Sequence, residues 1–194
     1  MIKEQFFNNK TSWQKSSLSG FSQDDQGNFV PWMTYDAISF LKNYVTKNHS
    51  IFEFGCGAST LFFAERSASV TSIETNDKWL KIVNSFLSEK KLENVDINLM
   101  PDGIDNNNYE TFAKNCDKKF DIIVIDSIKR FSCALNVIEA LKPNGIIILD
   151  DSERPNYQKI FKFFNQNGFT QTDFLGIAPA QLRIKNTTIF QRKN

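Results

Sequence analysis

An acid and two glycines follow one another at the end of an apolar stretch, in the order Glu53, Gly55 and Gly57. Residues 51–54 begin as a buried strand, the glycines form a turn, and Ser59 opens a run with helical character. Glycine lets a ligand approach the backbone closely, and the first N–H groups of a helix point towards whatever lies above the turn. The pattern therefore predicts a nucleotide-type cradle.

The residue types at this turn separate two kinds of ligand. A dinucleotide-binding turn has Gly-x-Gly-x-x-Gly after an apolar strand, and the pyrophosphate lies on the helix N-terminus. Here Thr60 stands at the third glycine position and Glu53 places an acid at the strand end. An acid repels a pyrophosphate and favours a ligand with a cationic or hydrogen-donating group. Two alternatives stay open, namely an NAD(P)-binding oxidoreductase and a turn that only packs a helix on a strand.

Acidic residues recur at the ends of all five predicted central strands. They are Glu53, Glu74, Asp102, Asp126 and the pair Asp150-Asp151. Because the carboxyl ends of parallel strands meet at one edge of a sheet, we expect these acids to lie along one rim. Clustered carboxylates repel one another and need a cation, hydrogen-bond donors or a metal. The pattern predicts a binding site along this edge.

Strands and helices alternate through most of the chain, which predicts right-handed βαβ units and a parallel sheet covered on both faces. Strands are predicted at 51–54, 70–74, 95–99, 120–126 and 145–151, with two more at 169–175 and 183–192. Residues 1–30 are rich in Ser, Asn and Gln and are predicted to be an irregular lead, whereas 31–194 form a single domain. Segment 175–185 is longer than a hairpin needs, and it is predicted either to overhang the site or to be a plain surface loop.

The composition of the chain argues against several classes of binding partner. There are 23 basic and 22 acidic residues, a net charge of +1, so no basic field favours nucleic acid. No apolar stretch approaches the roughly 20 residues of a membrane span, so no membrane partner is expected. Three cysteines and one histidine form no zinc pattern. Reduced thiols favour a cytoplasmic protein, and no stretch indicates the oligomeric state.

The motifs come in an order that resembles class I S-adenosylmethionine-dependent methyltransferases over about residues 50–192. The resemblance implies a Rossmann-like α/β fold, with a mostly parallel seven-stranded sheet, an antiparallel last strand and helices on both faces. It also implies a cofactor site with Glu53, Gly55, Gly57, Ser59 and Asp126 around the methionine part, Glu74 on the ribose, and Asp102 with Gly103 at the adenine. A carboxylate suits the ribose because its two oxygens match a vicinal diol.

The residues after strand four are similar to those of the metal-dependent catechol-type O-methyltransferases. Asp126-Ser127-Ile128-Lys129 stands here instead of the Pro-Pro motif of base- and amide-modifying members. This similarity implies catalytic roles for Asp126 and Lys129, with Lys129 as the base. It also implies a Mg²⁺ site made by Asp126, Asp150 and Asp151.

The charges around strands four and five are also consistent with two arrangements that need no metal. In one, Asp150 and Asp151 cap the next segment or pair with Arg154, while Lys129 or Arg130 neutralises Asp126. In the second, Arg130 and Arg154 bind an anionic group of the substrate.

The resemblance implies an enzyme of the EC 2.1.1 type that methylates a small-molecule acceptor, at oxygen. Small bacterial methyltransferases of this kind are in some cases associated with saccharide pathways, which is one acceptor class. A protein that binds the cofactor without turnover is a further alternative. No stretch of the sequence indicates the acceptor itself.

Overall fold

The computed structural model describes residues 2–101 and 108–193. Within them the helices are α1 (Ile2–Asn8), α2 (Lys10–Ser19), α3 (Tyr35–Tyr44), α4 (Ala58–Ala64), α5 (Asp77–Glu89), α6 (Asn108–Asn115), α7 (Arg130–Leu135) and α8 (Gln158–Gln166). The strands are β1 (Ser50–Phe54), β2 (Ser69–Glu74), β3 (Val95–Leu99), β4 (Phe120–Ile125), β5 (Leu141–Leu149), β6 (Phe169–Ala178) and β7 (Gln181–Arg192). Short 3-10 turns at Ile138–Ala140 and Pro155–Tyr157 precede β5 and α8.

The seven strands form one sheet in the order β3-β2-β1-β4-β5-β7-β6. The first five pair in parallel, and β7 runs antiparallel to both β5 and β6. Phe54 of β1 is in register with Ile73 of β2 on one side and Ile125 of β4 on the other. The strand order reverses between β1 and β4, which is where open α/β sheets bind ligands. The predicted fold is confirmed.

Helices cover both faces of the sheet because the central strands are apolar on both sides. Phe52, Ile123 and Ile147 pack on one face with α6, α7 and α8, and Ile51, Ile122 and Ile146 pack on the other with α3 and α4. Such continuous apolar strands are typical of buried parallel sheets. None of the helices in 2–101 and 108–193 is both long and apolar enough to span a bilayer.

The prediction of an irregular lead was wrong for residues 2–19, which form α1 and α2. The Ser12 hydroxyl donates to the carbonyl of Gln23 (2.6 Å), and the Gln23 amide donates to the Ser16 hydroxyl (2.9 Å). Gly20 ends α2 in a left-handed conformation. Tertiary hydrogen bonds therefore stabilise a helix whose Ser-rich composition is typical of irregular chain.

The segment that joins the last two strands is a hairpin rather than the predicted loop. β6 continues to Ala178 and β7 begins at Gln181, so Pro179 and Ala180 alone form the turn. β7 pairs with β5 only as far as Thr188, opposite Leu149. Residues 181–187 therefore extend beyond the carboxyl edge of the parallel strands.

Candidate cofactor-binding site

The glycine turn after β1 fits closely against the loop that follows β4. Gly55 has φ +93°, and a Cβ added there would lie 3.1 Å from the carbonyl oxygen of Asp126. The Gly55 amide donates to the carbonyl of Ile73 (2.8 Å), and the Gly57 amide donates to the Thr60 hydroxyl (2.9 Å). Gly55 is therefore required both for its backbone conformation and for the close approach of two loops.

We expect Gly55→Ala to destabilise the protein by about 2–3 kcal/mol, because it combines strain at positive φ with crowding against the β4 loop. Gly168→Ala is the matched control, since Gly168 has φ +81° and nothing within 4 Å of an added Cβ. The control should cost about 1 kcal/mol. Chemical denaturation of both variants measures the difference, and equal losses would contradict the close approach at Gly55.

Glu53 is a buried carboxylate beside this turn, with 1% of its surface exposed. The Ser72 hydroxyl donates to Oε2 (3.2 Å), whereas Oε1 has no hydrogen-bond partner among the described residues. Burial raises the pKa of Glu53 to about 7, although nearby hydroxyl groups, that of Ser72 among them, oppose the shift. An unpartnered buried oxygen costs free energy until a donor reaches it.

Glu53→Gln is expected to stabilise the ligand-free protein at pH 8 and not at pH 4. Because the folded-state pKa lies above the ordinary value, the folded protein binds more protons than the unfolded chain from about pH 4.5 to pH 7. The stability of the wild type therefore falls as the pH rises through this window. The variant avoids a penalty on the order of 2 kcal/mol, or roughly 5 °C in Tm. Thermal denaturation at the two pH values measures the effect, and an equal shift at both would contradict the assignment.

Glu74 lies at the end of β2, and backbone amides fix its carboxylate. Oε1 accepts from the amides of Thr75 (2.7 Å) and Asn76 (2.9 Å), and Oε2 accepts from the amide of Cys56 (3.2 Å). The last contact connects β2 to the glycine turn. Glu74 therefore presents a carboxylate of fixed orientation next to that turn.

A cavity of about 110 Å³ lies above the glycine turn. It is lined by Trp32, Glu53, Phe54, Gly55, Cys56, Gly57, Ala58, Ser59, Trp79, Val124 and Asp126. The Trp79 indole donates to the carbonyl of Cys56 (2.6 Å) and stacks on Phe21 at 5.2 Å. The sequence did not single out Trp79, because an aromatic residue on an amphipathic helix is typical of a core position.

No protein-family model matches this chain. A curated relative, a probable cobalt-precorrin-6B C(15)-methyltransferase (decarboxylating) from Methanobrevibacter smithii, is 31% identical over 127 residues. The alignment covers 62% of this chain and 64% of the relative, so the chain spans less than two thirds of that protein.

Solved structures match more of the chain at lower identity. A putative caffeoyl-CoA O-methyltransferase from Staphylococcus aureus has a TM-score of 0.63 at 22% identity, covering 87% of this chain and 88% of the other. A putative methyltransferase from Streptococcus mutans, solved in complex with SAH, has a TM-score of 0.58 at 15% identity, with 79% and 94% covered. Proteins described as rRNA methylases have similar folds. The chain has the class I methyltransferase fold. The fold that the sequence resemblance implies is thereby confirmed.

Within this methyltransferase fold the structure gathers most of the predicted site residues at one edge. Glu53, Gly55, Gly57, Ser59 and Asp126 line the cavity, and Glu74 contacts its turn through Cys56. Asp102 and Gly103 lie outside the described residues.

One predicted catalytic residue lies away from this cavity. Lys129, the predicted base, is not among the residues that line the cavity, and its Nζ lies 3.3 Å from Oε2 of Glu110 on α6.

Each of the three carboxylates of the predicted metal site faces a cation of the protein. Asp126 accepts from Arg130 (2.5 Å), and Asp151 accepts from Arg154 and from Arg183 (2.6 Å). No group of three or more metal-ligating side chains is present in 2–101 and 108–193. The residues therefore do not fit a Mg²⁺ ion as they are arranged, and the predicted pairing of the rim acids with Arg130 and Arg154 is observed.

Lys185 of β7 is the partner of the most deeply buried of these acids. Its Nζ lies 2.5 Å from Oδ2 of Asp150 and 2.9 Å from Oδ1 of Asp151. Asp150 also accepts from the Thr187 hydroxyl (2.7 Å). Lys185 was not predicted from the sequence, although Arg183, Lys185 and Thr187 alternate on one face of a strand and all contact this pair of acids.

The pKa values of these groups follow from burial and pairing. Burial raises the pKa of Asp150, and the Lys185 ammonium opposes that shift. Burial also acts to raise the pKa of Asp151, but Lys185 and the arginines beside it outweigh burial and lower it to about 2. Burial lowers the pKa of Lys185, whereas the two aspartates raise it and prevail. Asp151 is therefore a carboxylate and Lys185 an ammonium at neutral pH.

Proposed function

We propose that this chain is an S-adenosylmethionine-dependent methyltransferase that methylates a small-molecule acceptor at oxygen. The observation that carries the proposal is Oε1 of Glu53, which has no hydrogen-bond partner within residues 2–101 and 108–193 and lies on a cavity above the glycine turn. The amino group of the cofactor is a cationic donor that matches this oxygen, whereas a dinucleotide pyrophosphate would be repelled. The complex described for the Streptococcus mutans neighbour supports the same ligand class.

The cavity of about 110 Å³ suits one end of the cofactor, because sites that enclose a whole drug-sized ligand have roughly 300–1,000 Å³. We assign the methionine end to Glu53, Gly55, Gly57 and Ser59. The ribose then lies against Glu74, whose carboxylate accepts from both hydroxyls. The adenine role of Asp102 and Gly103 stays part of the proposal.

When bound, the cofactor supplies a methyl group activated by its sulfonium centre. The protein would align the acceptor and remove the proton of its hydroxyl group, so that the oxygen can act as the nucleophile. We assign proton removal to Asp126, which lines the cavity and whose Oδ1 is held by Arg130, leaving Oδ2 to face a hydroxyl. Lys129 is the weaker candidate for the base, because its Nζ pairs with Oε2 of Glu110.

Two features favour a small acceptor in the cytoplasm over the alternatives. The net charge of +1 provides no basic field for RNA, although some proteins of similar fold are described as rRNA methylases. The thiols of Cys56, Cys116 and Cys133 are free, which suits a reducing compartment. An NAD(P) oxidoreductase is disfavoured by the position of Glu53.

Methyl transfer from S-adenosylmethionine labelled with ¹³C in the methyl group tests the proposal. Pools of hydroxylated small molecules, saccharides among them, are compared with pools of amines and with total RNA. We expect labelled methyl ethers together with S-adenosylhomocysteine. Label in the amines or the RNA would contradict the oxygen or small-molecule assignment, and binding of S-adenosylmethionine without turnover of any pool would favour the non-catalytic alternative.

A further inference from the structure

A buried lysine lies between the acids at the end of β5. We propose that Lys185 is the internal cation of the acid rim, here defined as Asp126, Asp150 and Asp151. It takes the place between Asp150 and Asp151 where a divalent metal ion would bind, and it positions Trp32 against the cofactor cavity. The wild-type protein is then independent of divalent cations at this rim.

Three oxygen atoms surround the ammonium. A lysine ammonium has three donors and no acceptor. It donates to Oδ2 of Asp150 (2.5 Å) and to the carbonyl oxygen of Trp32 (3.1 Å), and it forms an ion pair with Oδ1 of Asp151 (2.9 Å). Only 2% of the Lys185 surface is exposed. The three oxygens thus converge on one buried point, and the nitrogen occupies it.

Arginines also pair with the acids of the rim, and Arg154 and Arg183 both contact Asp151. Arg130 lies 2.5 Å from Asp126 and 3.7 Å from Asp151. Buried charges are tolerated when they are paired, and removing one partner of a buried pair is strongly destabilising. A metal ion would have to displace the ammonium from both aspartates, so the lysine and the metal exclude each other.

Lys185 also connects the rim to the wall of the cavity. It binds the backbone carbonyl of Trp32, while the Trp32 indole donates to the carbonyl of Pro179 at the tip of the same hairpin (2.5 Å). Trp32 in turn lines the cavity together with Glu53 and Asp126. The hairpin therefore fixes Trp32 from two sides. This positioning role rests on the proposed function, whereas the cation role does not.

The first measurement titrates the wild type with Mn²⁺, observed by electron paramagnetic resonance and by Tm. We expect no saturable site that depends on the rim, and no change of Tm on adding EDTA. Stoichiometric Mn²⁺ binding that is lost in Asp150→Asn would overturn the proposal.

The second measurement compares three substitutions. Lys185→Ala should lower Tm by roughly 10 °C, because the buried Asp150 loses the cation paired with it, and millimolar Mn²⁺ should restore several degrees by entering the vacated place. Lys185→Met removes the same charge but fills the place with a methyl group, so its Tm should fall without a response to Mn²⁺. Lys142→Met is the control, since Lys142 pairs with Asp121 at the opposite edge of the sheet, and it should show no response to Mn²⁺.

Should Lys185→Ala fail to fold, Lys185→Met combined with Asp150→Asn removes both charges and should recover most of the lost Tm. Equal Mn²⁺ responses of the Ala and Met variants, or a Tm of Lys185→Ala within 2 °C of the wild type, would overturn the proposal. So would a double variant no more stable than Lys185→Met. The binding of S-adenosylhomocysteine to the wild type separates the two proposals, because the cation results stand whether or not that binding occurs.

Discussion

Glu74→Gln is expected to lower the affinity for S-adenosylhomocysteine by about 100- to 1,000-fold. Hydrogen bonds to a charged partner contribute about 1.5–3 kcal/mol each, and the proposed ribose contact contains two of them. The substitution also places an amide NH₂ where the wild-type carboxylate accepts from the amides of Thr75, Asn76 and Cys56. In either orientation of the glutamine, its NH₂ group faces at least one of these backbone N–H donors, so that hydrogen bond is lost. Isothermal titration calorimetry measures the affinity.

Asp77→Asn is the matched control for this experiment. Asp77 lies three residues further on and forms an exposed i,i+4 pair with Lys81 (2.7 Å). Exposed pairs of this kind contribute little, so the control should bind within about twofold of the wild type. A folded Glu74→Gln protein with wild-type affinity would show that Glu74 only holds the glycine turn.

Asp126→Asn is expected to lower kcat by about 100-fold or more, because an amide cannot accept the proton of the acceptor hydroxyl. Cofactor affinity should fall by less, since Glu53 and Glu74 make the assigned contacts to the cofactor. Arg130 would keep a partner in Asp151, which lies 3.7 Å away. Steady-state kinetics with the acceptor found in the labelling experiment, combined with calorimetry, separates the two effects.

Asp121→Asn controls for loss of an acid from the same strand. Asp121 is at the opposite end of β4, where it accepts from Lys142 (2.7 Å) and from the amide of Ser50 (2.7 Å). We expect a loss of stability in this variant with kcat unchanged. If Asp126→Asn turned over at the wild-type rate, proton removal would have to be assigned to another group, with Lys129 the first to test.

The central sheet was predictable because local and long-range preferences agree there. Residues 122–125 are apolar and β-branched, and such a run is typical of a parallel strand covered on both faces. The acids at the strand ends then followed from topology alone, since parallel strands bring their carboxyl ends to one edge. The hydrogen bond from the Cys56 amide to Glu74 shows that the topology also predicted which groups at this edge lie next to each other.

Other parts were not predictable, because their stability comes from contacts distant in sequence. The fifth strand was predicted to begin at residue 145, yet β5 begins at Leu141, which pairs with Phe120. A lysine in a strand is usually exposed, so the sequence did not indicate that Lys185 is buried against Asp150. Helix α2 similarly depends on the hydrogen bonds of Ser12 and Ser16 with Gln23.

The proposed cofactor is tested most directly by titrating the wild type with S-adenosylhomocysteine and, separately, with NADH. Two of the three tryptophans, Trp32 and Trp79, line the cavity, so their fluorescence reports on the site while calorimetry gives the stoichiometry. We predict one S-adenosylhomocysteine per chain, a change in tryptophan fluorescence, weaker binding in Glu53→Gln and no NADH binding. Binding of NADH without binding of S-adenosylhomocysteine would contradict the account.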